Sequence, residues 1–199
     1  MSIKLSLSLL IVFFGAEVVA QSDVAQYVLQ KERITINGRT NINKFECKLD
    51  LGGVVDTLAV QVEKQNGNFN FSGLNLRIPV DAFDCKYKLM TAEFRELLRS
   101  TEYPHLLLNI THVDHHVPSK MTMATDLSVT DTKNEEFIRD CYIEKVGDDL
   151  ILGGNHRVFL SSYNIEPPKK LFGAVVVKNE LDISFEVELA KDIKKREPQ

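Results

Sequence analysis

The most reactive side chains in this sequence are five histidines and three cysteines. Three of the histidines fall together in His112-Val113-Asp114-His115-His116. On an extended strand His112, Asp114 and His116 project to one side, a nitrogen and oxygen set of the kind zinc or copper takes. The run leads straight into Val117-Pro118-Ser119, so it reads more simply as an exposed polar segment at a hairpin end, with no metal. Cys141 and His156 are a conceivable nucleophile and base, but nothing in the sequence brings them together. There is no G-x-S-x-G elbow, no H-E-x-x-H helix and no Gly-rich phosphate loop. The expectation is therefore a protein that is not an enzyme and carries no cofactor.

The cysteines speak to compartment. Residues 1–20 carry Lys4, then an apolar run from Leu5 to Gly15, then Val18-Val19-Ala20 before Gln21, the layout of a cleaved signal peptide. The apolar run is too short to span a bilayer, and no other segment reaches the ~20 residues a transmembrane helix needs. In an exported chain Cys47 and Cys85, in the matching contexts Phe-Glu-Cys-Lys and Phe-Asp-Cys-Lys, are expected to pair and leave Cys141 free. On chain-entropy grounds that bridge contributes roughly 4 kcal/mol. The alternative is three reduced thiols used as small packing residues. The formal net charge of -4 argues against a nucleic-acid partner, which needs a basic face. Residues 191–199 read as a charged tail, and 21–190 as one domain.

The elements that must position any site are mostly strands. From Val175 to Leu189 the odd positions Val175, Val177, Leu181, Ile183, Phe185, Val187 and Leu189 are apolar, while Lys178, Glu180, Asp182, Ser184, Glu186 and Glu188 alternate with them. This is one long antiparallel strand with a dry face and a wet one. Asn37-Gly38 and Asn66-Gly67 are both read as hairpin turns. In Asn68 to Val80 the apolar parity switches at Gly73, from Phe69 and Phe71 to Leu74, Leu76 and Ile78, as a bulge would require. Lys88 to Ser100 carries Met90, Phe94, Leu97 and Leu98 at helical spacing and is read as an amphipathic helix. Further strands are expected over His105–Val113, Met121–Thr130, Glu136–Val146 and Leu150–Ser161. About nine strands and one helix suit an up-and-down barrel or a sandwich. An eight-stranded barrel either fills itself with side chains or holds one small ligand, and the apolar parities, free of Trp, suit both.

Several stretches, in order along nearly the whole mature chain, resemble the YceI-like family of exported lipocalin-like proteins. They are Thr40-Asn41-Ile42-Asn43-Lys44-Phe45, Leu76-Arg77-Ile78-Pro79-Val80, Phe94-Arg95-Glu96-Leu97-Leu98 through Glu102-Tyr103-Pro104, Leu160 to Pro168, and the closing strand to Leu189. The chain departs from the family pattern in carrying Phe45 where Trp is common, and in lacking a Gly between Leu127 and Lys133. The resemblance implies an all-β, extended antiparallel lipocalin-like barrel of about eight strands with one helix. It also implies a bacterial protein, periplasmic or secreted, that binds an isoprenoid or other long-chain amphiphilic lipid inside the barrel without catalysis. The assembly state is left open, a homodimer included. Parity selects Phe45, Phe69, Phe71, Leu76, Ile78, Leu106, Leu108, Ile110, Met121, Met123, Phe159, Ile183, Phe185 and Val187 as inward lining, with Phe94 and Leu97 from the helix. The alternative is a ligand-free scaffold or interaction module whose core is filled by its own side chains.

Overall fold

The computed structural model describes residues 23–51, 58–117, 120–170 and 174–192. The expected signal segment and the tail from 193 onward lie outside the described residues. In chain order the strands are β1 (Asp23–Thr40), β2 (Lys44–Leu49), β3 (Ala59–Gln65), β4 (Asn68–Ser72), β5 (Asn75–Pro79) and β6 (Phe83–Asp84). Helix α1 (Lys88–Leu97) follows, and then come β7 (His105–Val117), β8 (Lys120–Val129), β9 (Thr132–Ile138), β10 (Asp140–Val146), β11 (Asp149–Phe159), β12 (Lys169–Lys170) and β13 (Val175–Lys191).

The strands pair antiparallel in the order β10-β11-β13-β1-β3-β4-β7-β8-β9. Only Arg139 separates β9 from β10. One run of chain therefore pairs with β8 through its first half and with β11 through its second, and the two ends of the order meet in it. β5 extends the line of β4 along β7. Counted this way β9/β10, β11, β13, β1, β3, β4/β5, β7 and β8 are the staves of an antiparallel barrel, built from more strand segments than the sequence suggested.

Bulges decide which residues face inward. β13 pairs with β1 from Val177 to Lys191, across two register shifts on the β1 side, and with β11 from Glu180 to Leu189, and Leu181, Phe185, Val187 and Leu189 are buried as the alternation requires. β1 slips between Leu29 and Lys31, so its inward parity changes from Tyr27 and Leu29 to Ile34 and Ile36. β7 slips between Ile110 and His112, which brings Val113 inward beside Leu106, Leu108 and Ile110. The switch at Gly73 is present, with φ of +88°, and a Cβ there would stand 2.8 Å from the Ala59 carbonyl oxygen. Asn66 and Gly67, with φ of 52° and 86°, form the tight turn between β3 and β4, as their sequence demands.

Three expectations are corrected. Asn37-Gly38 is not a turn, because β1 continues to Thr40. Gly38 is needed for space: the Phe45 ring of β2 lies over it, and a Cβ there would fall 2.1 Å from the ring. The chain turns instead at Thr40–Asn43, where the Thr40 hydroxyl oxygen accepts hydrogen bonds from the amides of Ile42 and Asn43. The expected strand Glu136–Val146 is two strands that change partner at Arg139. The histidine run is strand up to Val117 rather than an exposed loop. Its Val113 is buried in the core, and His112 Nδ1 lies 2.7 Å from Asn70 Oδ1. The His116 side chain lies outside the described residues.

The disulfide joins Cys47 to Cys85. It ties β2, where Cys47 lies opposite Ile36, to the segment that leads into α1. α1 then docks through Phe94, whose ring meets Phe83 with centroids 5.4 Å apart. Cys141 is free and half-buried, and burial pushes its thiol above the usual cysteine range, which keeps it protonated and weakly nucleophilic.

Candidate ligand cavity and the polar cluster at its edge

The barrel interior divides into two halves along its axis. Toward the end that carries the Asn66-Gly67 turn and the Gly147 turn, Val60, Ile110, Val113, Met123, Leu152, Val187 and Leu189 are all 0% exposed. That half is solid. Toward the opposite end the side chains do not meet, and a cavity of about 50 Å³ lies among them.

Seven strands build the cavity wall. β1 supplies Ile34 and Ile36, β5 Ile78, β7 Leu106 and Leu108, β8 Thr125 and Leu127, β9 Glu136 and Ile138, β11 His156 and Val158, and β13 Ile183 and Phe185. Each stands on the inward parity of its strand, and the free surface they offer is hydrocarbon. The space is small, about 50 Å³, against the length of a prenyl chain. A longer chain enters only if wall side chains rotate.

Glu136, His156 and Tyr163 form a hydrogen-bonded cluster at the cavity edge. His156 Nε2 lies 2.9 Å from Glu136 Oε2, and the two side chains are each 20% exposed. From behind, the hydroxyl of Tyr163 donates to Glu136 Oε1 at 2.7 Å. Tyr163 is 1% exposed, and burial first, then the hydrogen bond to Glu136, holds its phenol well above the usual tyrosine range. Thr125 is also buried, and its hydroxyl is directed to the Glu136 carbonyl at 3.5 Å. The break at Arg139 makes this possible. It leaves Glu136 on β9 beside β11 without pairing to it, and the short helical turn Leu160–Tyr163 after β11 brings Tyr163 behind the carboxylate.

Of the residues selected by parity, Ile78, Leu106, Leu108, Ile183 and Phe185 line the cavity. Phe71, Ile110, Met123 and Val187 belong to the filled core. Phe45 and Met121 are half-buried against that core. Phe69 sits at the far end of the barrel beside Tyr27 and Lys64. Leu76 borders a separate groove with Asp50 and Arg77. Phe94 packs on Phe83, and Leu97 borders a crevice with Arg99 and Asp131. Phe159 is a correction: it is 43% exposed, because its register opposite Glu180 puts it on the outer face. Parity reasoning passed over Ile34, Ile36 and Leu127, apolar residues flanked by polar ones, over Ile138 and Val158, each beside a phenylalanine, and over Glu136 and Tyr163. His156 pairs with Glu136 rather than serving Cys141 as a base. Among the described residues no group of three or more His, Cys, Asp or Glu is placed to hold a metal. No helix among them is long and apolar enough to cross a membrane.

Solved structures share this architecture. Burkholderia cenocepacia BcnA superposes with a TM-score of 0.57 at 12% identity, over 79% of this chain and 95% of that one. A polyisoprenoid-binding domain from Saccharophagus degradans, implicated in plant cell wall breakdown, superposes with a TM-score of 0.56 at 8% identity, over 85% and 100%. The Campylobacter jejuni YCEI protein aligns over 96% of this chain and 93% of its own at 7% identity, with a TM-score of 0.47. No protein-family model and no curated protein matches the sequence. At such identities the likeness concerns the fold alone, which this chain shares with BcnA and with that polyisoprenoid-binding domain.

Proposed function

We propose that the protein is an exported, non-catalytic lipid carrier that holds an isoprenoid-type amphiphile in the cavity half of its barrel. The observation that carries this reading is the contrast within the interior: Val60, Val113, Met123, Leu152 and Val187 are 0% exposed, while toward the other end a hydrocarbon-walled space remains, bordered by a polar cluster. A packed core has no use for such a space, and an amphiphile needs both its parts. Each methylene removed from water adds about 0.8 kcal/mol, so a few isoprene units offset the cost of rotating wall side chains. The fold shared with a polyisoprenoid-binding domain supports the same ligand class. The Cys47–Cys85 bridge suits an oxidising compartment such as the periplasm.

The small volume of the cavity favours a second reading, a scaffold whose interior is filled by its own side chains. Organic-solvent extraction of the purified mature protein, followed by mass spectrometry, separates the two. The lipid reading expects a stoichiometric prenyl species that disappears when Leu108→Trp fills the cavity. An empty extract, together with no uptake of added geranylgeraniol, would support the scaffold.

A further inference from the structure

The largest apolar exposures gather at one end of the barrel. Leu89, Tyr87 and Ile42 are 73%, 66% and 63% exposed, more than any other large apolar side chain among the described residues. All three lie at the end that holds the cavity. Ile42 is in the turn between β1 and β2. β6 runs antiparallel to β2, with Asp84 opposite Lys48, so the chain leaves Asp84 toward that same end, and Tyr87 and Leu89 follow at the start of α1. The Cys47–Cys85 bridge ties the two tips together. The turn that presents Tyr87 is a strained one. Lys86 has a φ of +70° and the Tyr87 amide donates to the Cys85 carbonyl at 2.8 Å, a γ-turn of the rare kind. It is held from beneath: Asp84 accepts from the Lys86 amide at 2.9 Å, and the Thr91 hydroxyl accepts from the Cys85 amide at 3.0 Å.

Lysines alternate with these apolar side chains. Lys44 follows Ile42, and Tyr87 stands between Lys86 and Lys88, all three lysines being exposed. Lys86 Nζ lies 5.7 Å from the centre of the Tyr87 ring. None of Lys44, Lys86 and Lys88 forms an ion pair among the described residues. The carboxylates nearest to them in sequence are engaged, Glu46 with Lys48 at 2.9 Å and Asp84 with the Lys86 amide. The opposite end is different: Val146 and Val24, 54% and 50% exposed, stand there with Asp23, Asp148 and Asp149, whose charges act together on Tyr27.

We infer that the cavity end docks on the surface of an anionic lipid bilayer, with Tyr87, Leu89 and Ile42 entering the head-group boundary and Lys44, Lys86 and Lys88 facing the phosphates. That boundary buries an aromatic ring or an aliphatic side chain while neighbouring ammonium groups stay wet. A protein partner is a poorer match, because a standard interface buries about 800 Å² per side in complementary surfaces, and two narrow turns offer neither a groove nor a flat patch. A second copy would set lysine against lysine. Docking turns the cavity toward the membrane and the aspartates away from it. This gives the carrier proposed above access to a bilayer, but it rests on surface residues alone, so either reading can fail without the other.

The chain contains no Trp, so Tyr87→Trp and, at the opposite end, Val146→Trp each report one position without background. Both are made in the mature, disulfide-bonded protein and mixed with vesicles of phosphatidylethanolamine and phosphatidylglycerol, or of phosphatidylcholine alone. Emission from Tyr87→Trp should move to the blue on the anionic vesicles only, and less so as salt is raised; Val146→Trp should not move. In co-sedimentation the wild type should partition onto the anionic vesicles, and Lys44→Gln/Lys86→Gln/Lys88→Gln about a hundredfold less, roughly fivefold for each charge. Ile42→Ser with Leu89→Ser should lower partition about tenfold, and Val24→Ser should leave it unchanged. Circular dichroism checks that each variant is folded, as substitution at exposed positions predicts. Wild type that stays in solution with anionic vesicles, a lysine variant that partitions as wild type does, or equal blue shifts at both Trp positions would overturn the docking face. A prenyl species in the solvent extract of a protein that ignores vesicles would leave the carrier reading standing. Vesicle binding with an empty extract would leave the docking face standing without it.

Discussion

The two halves of the barrel interior are lined by the same residue types yet differ in how tightly they close. In the filled half Val60, Val113, Met123, Leu152 and Val187 leave nothing exposed. In the other half Ile183 and Leu127 remain partly exposed at the edge of the space, and the wall includes a glutamate and a histidine. Composition does not separate a core from a binding site here. What separates them is whether the side chains meet, and whether a polar group is admitted to the wall. The first arrangement closes on itself, and the second keeps a small hydrocarbon-walled space.

Four perturbations sharpen or break this contrast. The largest effect is expected from the disulfide, which closes a separation of 38 residues beside the cavity half. Cys47→Ala with Cys85→Ala should cost about 4 kcal/mol, read as a lower urea midpoint. Hydrogen exchange in the double variant should rise first in β2 and α1; uniform loosening of both halves would mean the halves are not separate units. Next, truncation should hurt unequally. Leu152→Ala in the filled half should cost about 3–4 kcal/mol, and Leu127→Ala beside the existing space about 1–2 kcal/mol. Equal costs in denaturant titrations would remove the distinction.

Tyr163→Phe deletes one buried hydroxyl and its bond to Glu136, at an expected cost of about 1 kcal/mol. The pH dependence has a definite sign. The folded-state phenol is held above its unfolded value, so its contribution is complete below the usual tyrosine range near 10 and is lost as pH rises beyond it. Spectrophotometric titration of wild type should show Tyr27 and Tyr163 both ionising late, and Tyr163→Phe should remove one of the two. The smallest effect belongs to the outer face. The hydrogen bond from Arg157 to Asp182, at 2.7 Å, holds that carboxyl below the usual aspartate range. Its contribution is present above the unfolded aspartate value near 4 and fades as pH falls through the lowered folded value. In Arg157→Gln the Asp182 resonance should titrate at higher pH than in wild type, with ligand binding untouched.

Much of this architecture is legible in the residues themselves. The alternation of Val175 to Leu189, the turn at Asn66-Gly67, the switch at Gly73, the helix and the disulfide pair each follow from a local signal. Other features depend on what lies across the barrel. Asn37-Gly38 carries a hairpin signature, yet the glycine serves a ring on the neighbouring strand, and no local pattern reports that. Glu136 and His156 are twenty residues apart and lie on strands that do not pair with each other. The break at Arg139, which lets them meet, has no Gly or Pro to mark it. Phe159 shows the opposite error: parity selected it as inward, while in the structure Leu152, His156 and Val158 take the inward parity of β11 and leave Phe159 on the outside. The register shifts between Leu29 and Lys31 in β1 and between Ile110 and His112 in β7 are likewise silent in sequence, since no glycine stands at either one.

The most direct measurement is a methyl-resolved NMR titration of the delipidated protein with geranylgeraniol. A ligand in the cavity half should shift the methyls of Ile34, Ile36, Ile78, Leu106, Leu108 and Ile183, and leave those of Val60, Val113, Leu152 and Val187 in place. Shifts centred on the filled half, or none in either half at saturating ligand, would contradict it.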